Sequence, residues 1–117
     1  MFQGEITVTS GSISSHPHPG PAMPTAWQSA AEALALALAL ELTQVCVNAI
    51  IPGLIDTPRL HTAHGDKRDT IDNNRAANLP GRRLGTTDEV AQVILMLMTN
   101  CYMTEKVVHV NGGGGAV

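Results

Sequence analysis

Hydrophobic and polar positions along this chain switch period several times, and each switch marks an element. "EITVTS" (5–10) is rich in β-branched residues and runs into "SGSISS", the pattern of a strand entering a loop. "HPHPGPAMP" (16–24) holds four of the seven prolines and predicts an extended connection. "TAWQSAAEALALALALELTQ" (25–44) repeats with period two, which is the period of a strand. Its alanines and leucines are strong helix formers, however, and its length favours a helix. "VCVNAIIPG" (45–53) is a continuous apolar run, as in a strand buried on both faces of a parallel sheet, ended by Pro52-Gly53.

Residues 58–84 are polar and irregular, and predict a surface insertion with short helices. "TTDEVAQVILMLMTN" (86–100) opens with Thr86-x-x-Glu89, a capping box, and continues with helical spacing through Val90, Val93, Ile94 and Leu97. "KVVHV" (106–110) is a last short strand, and "NGGGGAV" after it reads as a loose tail. The order strand, helix, strand, insertion, helix, strand makes two βαβ units. The fold class is therefore α/β, with three parallel strands and flanking helices in one domain, 1–117.

The Ala/Leu alternation has a further consequence. At 100° per residue, Leu34, Leu38 and Leu42 share one stripe, while Leu36 and Leu40 fall nearly opposite. One face can cover a sheet. The other needs a second partner.

Composition narrows the function. Apolar residues make up 44% of the 117, which is globular rather than disordered. The net charge of −3 and the absence of basic runs argue against a nucleic-acid surface. The longest strictly apolar run, Ala33–Leu40, is too short to span a bilayer, and "MFQGEITV" lacks the features of a signal peptide. A soluble protein is expected. Cys46 and Cys101 lie far apart and read as reduced thiols, which fits the cytoplasm.

Among chemical motifs, Tyr102-x-x-x-Lys106 has the spacing that sets an ammonium beside a phenol on a helix. Lys106 begins a strand, so that geometry is absent and the pair is read as a turn. His16, His18, His61 and His64 lie in loops without cysteine or acidic partners at ligand spacing. They are read as solvated residues rather than as a zinc site. His109 reads as a strand-edge histidine, Trp27 as a core or interface anchor, and Arg82 and Arg83 as tethers for the loop before the capped helix.

Taken together, "ITVTSGS", the helix ending "LALEL", "VNAIIPGLIDTP", "GRRLGTTDEVA" and "VVHVNGG" resemble the C-terminal half of a short-chain dehydrogenase/reductase. The resemblance covers nearly the whole chain but about half of the family's usual length. It implies a partial Rossmann fold, the C-terminal half of a doubly wound sheet, and an NAD or NADP cofactor. It also implies a serine, a tyrosine and a lysine for catalysis. Their positions here are Gly11, Pro24 and Gln28, with Ser10 and Ser12 as the nearest substitutes. The family's nicotinamide-contacting loop matches Pro52, Gly53, Ile55 and Thr57. No glycine-rich turn for a pyrophosphate precedes a helix.

The expected protein is thus an oxidoreductase-like chain that is catalytically defective by itself or completed by an N-terminal segment. A non-enzymatic self-association module and a truncated gene product are the alternatives. The resemblance also implies a homo-oligomer, built through the long helix around Leu36 and Leu40.

Overall fold

A computed structural model describes residues 4–100 and 102–117 of the chain. Strand β1 (Gly4–Thr9) leads through a short 3-10 turn into helix α1 (Ala22–Glu41) and strand β2 (Val45–Pro52). Helices α2 (Pro58–His64) and α3 (Arg68–Ala77) occupy the insertion, and α4 (Thr87–Thr99) returns the chain to strand β3 (Lys106–Val110). The three strands form one parallel sheet in the order β1-β2-β3, with Ile6 opposite Val47 and Ile50 opposite Val108.

β2 is the centre of the molecule. Its six internal residues, Cys46 to Ile51, are all buried, as the continuous apolar run required. On one face Val47 and Ala49 meet Ala35 of α1, with Leu38 and Ala39 beside it. Because Ala35 has no side chain beyond Cβ, the helix backbone approaches the strand closely. Helix α4 also packs on the sheet, touching all three strands, and its Leu97 is completely buried. Thr86 caps α4: its Oγ1 accepts from the Glu89 N–H at 3.2 Å, and Glu89 Oε2 accepts from the Thr86 N–H at 2.8 Å.

Three expectations need correction. The long helix runs from 22 to 41 rather than 25 to 44. Pro24 is tolerated in a first turn, whose N–H groups have no helical acceptor in any case. At the other end Gln44 takes φ 72°, a left-handed conformation that a helix cannot continue through.

The leucine stripes also divide differently. Ala35, Leu38 and Ala39 face the sheet. Leu34 lies one helical step beyond Ala35 and is 54% exposed, whereas Leu36 is half-buried. Met23, Trp27 and Leu34 therefore form one exposed apolar stripe, and Leu40, 75% exposed, lies about 120° around the helix from Leu34.

Finally, the glycine-rich end is not loose. Gly112 and Gly113 take φ 59° and 83°, and the chain doubles back so that the Gly81 N–H donates to the Gly112 carbonyl at 2.8 Å.

Asn48 is a buried polar residue that ties the sheet to a turn. Its Nδ2 donates to the Met103 carbonyl at 2.9 Å, and its Oδ1 accepts from the Lys106 N–H at 3.1 Å. The turn before β3 is thereby fixed to β2 at the point where their pairing starts. Tyr102 stands exposed in this turn, and Lys106 is already in β3, so the two share no helix.

Candidate functional site

The loops that leave the C-terminal ends of the three strands gather at one end of the sheet. Parallel α/β folds place their ligands at such an end. Gly53 ends β2, donating its N–H to the Val110 carbonyl at 2.9 Å. A Cβ at Gly53 would stand 2.6 Å from Asn111 Cβ, so only glycine lets the loops after β2 and β3 approach this closely.

Beyond Gly53, residue 55 pairs with Gly85 in an isolated parallel bridge. The Leu54 carbonyl accepts from the Gly85 N–H at 3.0 Å, and the Asp56 N–H donates to the Gly85 carbonyl at 2.9 Å. Successive peptide groups in a strand point opposite ways, so the N–H and C=O of Ile55 face away from Gly85. Thr57 caps α2, its Oγ1 accepting from the Leu60 N–H at 3.4 Å, and its hydroxyl proton stays available to another acceptor. Pro52, Gly53, Ile55 and Thr57 thus line one open recess, with Arg59 and Leu60 on its far side. His61 Nε2 lies 2.7 Å from Asp56 Oδ1 and holds α2 against this loop.

The loop after β1 brings a second group together. Ser10 is turned toward α1, its Oγ 2.5 Å from Glu32 Oε1 and 3.1 Å from the Gln28 carbonyl. It anchors the helix. Gln28 packs over Gly11: a Cβ at Gly11 would lie 2.7 Å from Gln28 Nε2. Gln28 Oε1 is buried with no hydrogen-bond partner among the described residues. Pro24 is half-buried one turn before Gln28. Ser12 instead faces a neighbouring recess that it shares with His16, His18 and Arg75.

An ion pair braces the entry to α4. Arg83 holds the Glu89 carboxylate through both guanidinium nitrogens, at 2.9 and 2.5 Å. Of the two arginines expected to tether this loop, Arg83 does so. The guanidinium bond, then the Thr86 backbone N–H, draws the Glu89 pKa from 4.5 down to about 2. A depressed carboxylate stabilises the fold above its unfolded pKa and loses that contribution as pH falls through its folded pKa. The stability gap between the wild type and Glu89→Gln is therefore expected to be full at neutral pH. It should narrow progressively below about pH 4.5, measured by denaturation at a series of pH values. A gap independent of pH would assign the tie no role.

Among the described residues no group of three or more His, Cys, Asp or Glu side chains comes together as a metal site. No helix among them is long and apolar enough to cross a membrane. Cys46 is buried in β2, and Cys101 lies outside the described residues.

Comparison with known proteins gives this end of the sheet its context. The enoyl-(acyl carrier protein) reductase model of the short-chain dehydrogenases matches residues 2–114. The chain belongs to the short-chain dehydrogenase/reductase family. It is 31% identical over 114 residues to a 3-oxoacyl-[acyl-carrier-protein] reductase of Thermotoga maritima, covering 94% of this chain and 45% of that protein. It is 34% identical over 71 residues to nodulation protein G of a Rhizobium species, covering 59% of this chain and 27% of that protein. A small-chain dehydrogenase solved in complex with NADPH superposes with a TM-score of 0.90 at 34% identity, covering 97% of this chain and 52% of that one. The fold is thus a partial Rossmann sheet of the short-chain dehydrogenase/reductase type. The chain spans about half the length, or less, of these relatives.

The structure brings Gly11, Pro24 and Gln28 together along one side of α1, and Pro52 to Thr57 together in the loop beyond β2. It separates Ser10 from the open recesses. The grouping of His16 and His18 with Arg75 is not legible in the sequence, where nearly sixty residues intervene and "HPHP" signals only a loop.

Proposed function

We propose that this chain is a short-chain dehydrogenase/reductase unit that keeps the nicotinamide-facing loop of the fold and does not transfer hydride by itself. The observation that carries the reading is the packing of Gln28 over Gly11. The positions read as lysine and serine adjoin each other, and an amide fills the space a serine side chain would need. Pro24, at the position read as tyrosine, has no ionisable proton to exchange.

The residues present fit one end of a nicotinamide cofactor. A carboxamide would find the Ile55 backbone and the Thr57 hydroxyl, in a recess open to solvent. When bound, such a cofactor supplies the hydride. The pyrophosphate has no glycine-rich turn in this sequence to receive it, so firm binding would need groups from a further segment. The cytoplasmic setting read from the cysteines is part of the same proposal.

The test is the absorbance of NADH and NADPH over a panel of ketones and aldehydes. Losing a general acid costs a factor of about 10² to 10⁴, and no turnover above a protein-free control is expected. Pro24→Tyr with Gln28→Lys should leave this unchanged, because cofactor positioning is still lacking. Turnover that depends on the unmodified chain would refute the proposal.

A second reading, self-association, is favoured by the outward stripe of α1. Met23, Trp27 and Leu34 lie exposed along one helix face, and Leu40 lies exposed on the neighbouring one. A second copy of the chain, packed across a two-fold axis, would cover the stripe reciprocally.

A further inference from the structure

The recess beside Gly53 and Leu54 has a chemical character that the family fold does not dictate. It holds about 250 Å³ and is lined by four separate segments of the chain. His16 and His18 come from the loop after β1, Arg75 from the last turn of α3, and Ile13, Leu54 and Leu79 supply apolar wall. No carboxylate lines it. In a chain with ten acidic and seven basic residues, a recess lined by one guanidinium, two imidazoles and no acid favours an anion.

The contrast with the adjoining recess sharpens the point. There Arg83 and Glu89 both line the wall and neutralise each other. Arg75 makes no ion pair among the described residues. Asp72, one turn earlier on α3, is buried and does not line the cavity.

We infer that this recess is a subsite for a small organic acid, its carboxylate or phosphate held by Arg75, His16 and His18 and its apolar body against Ile13, Leu54 and Leu79. A guanidinium offers paired donors to either oxyanion, and an imidazole offers at least one N–H in any protonation state. The recess shares Gly53 and Leu54 with the nicotinamide-facing loop, so the acid would lie next to that loop. The inference rests on reading this end of the sheet as the substrate side of a reductase-type fold. It adds the substrate class.

Titration of the isotope-labelled full chain, followed by amide and guanidinium NMR signals, tests it with three probes of one shape: hexanoate, hexyl phosphate and hexanamide. Hexanoate and hexyl phosphate should produce saturable shifts at Gly53, Leu54 and Arg75, and hexanamide should not. Which acid binds tighter separates a carboxylate from a phosphate ligand. Arg75→Gln should weaken binding of the preferred acid about tenfold, and Arg75→Lys less, because a charged donor remains. The double change His16→Gln with His18→Gln should weaken it severalfold.

Equal binding of hexanamide, no saturable shift with either acid, or a folded Arg75→Gln chain binding within about twofold of wild type would each overturn the inference. The comparison of probes on the wild-type chain stands even if a variant fails to fold. No nucleotide is present in these titrations. Turnover with NADPH would therefore refute the proposed function and leave the subsite intact, while loss of acid selectivity would do the reverse.

Discussion

Asn48→Ala is expected to destabilise the fold by about 2–4 kcal/mol, because two backbone partners lose their bonds at one stroke. The side chain is completely buried and satisfies both the Met103 carbonyl and the Lys106 N–H. Alanine supplies neither a donor nor an acceptor, and the space left beside β2 is too enclosed for an easy substitute. Each group left without a partner costs about 1–3 kcal/mol, against a typical small-domain stability of about 5–15 kcal/mol.

The loss should also be local in origin. Pairing of β2 with β3 begins at Asn48 opposite Lys106. The amides of the last strand should therefore exchange faster than those of β1. Denaturant titration followed by circular dichroism gives the magnitude, and hydrogen exchange gives the location. A change below about 1 kcal/mol would show that water replaces both bonds without cost.

The second large effect concerns assembly. Wild-type chain at micromolar concentration should sediment as a dimer or larger species, and Leu34→Glu with Leu40→Glu should dissociate it. The two leucines are 54% and 75% exposed, so neither supports the protomer's own core. Leaving them in water forgoes about 2–4 kcal/mol of burial, which a two-fold pair of α1 helices would recover. Trp27, 55% exposed on the face of Leu34, supplies an aromatic anchor of the kind that dominates interfaces. The free edge of β1, which has one strand neighbour in this sheet, is a further surface for association. Charges on the stripe should break the assembly while the far-ultraviolet spectrum stays native. A monomeric wild type would contradict the reading.

Much of this fold was legible because its signals are local. The capping box of α4 uses residues three apart, and both of its hydrogen bonds are present. The strand at 45–52 declared itself by an unbroken apolar run, and β1 and β3 by β-branched residues beside turn signals. The insertion was harder. Short helices were expected there, but the polar surface hid the bounds of α2 and α3, since the buried Asp72 and Ala76 are a small part of a solvent-facing sequence.

The catalytic expectation rests on residue type alone. A proline and a glutamine at the positions that would carry the tyrosine and lysine lack that chemistry wherever they are placed. The sequence alone therefore determined the element order, the α/β class, the family resemblance and the chemical poverty of Gly11, Pro24 and Gln28.

Tertiary structure alone decided which face of α1 turns outward, because Ala35 rather than a leucine makes the closest approach to β2. It decided that Ser10 anchors a helix while Ser12 faces a recess, a difference set by side-chain direction at two neighbouring positions. It also decided that His16, His18 and Arg75 share one cavity. No local pattern encodes that meeting, since it requires the loop after β1 and the end of α3, far apart in the sequence, to converge beside Gly53 and Leu54.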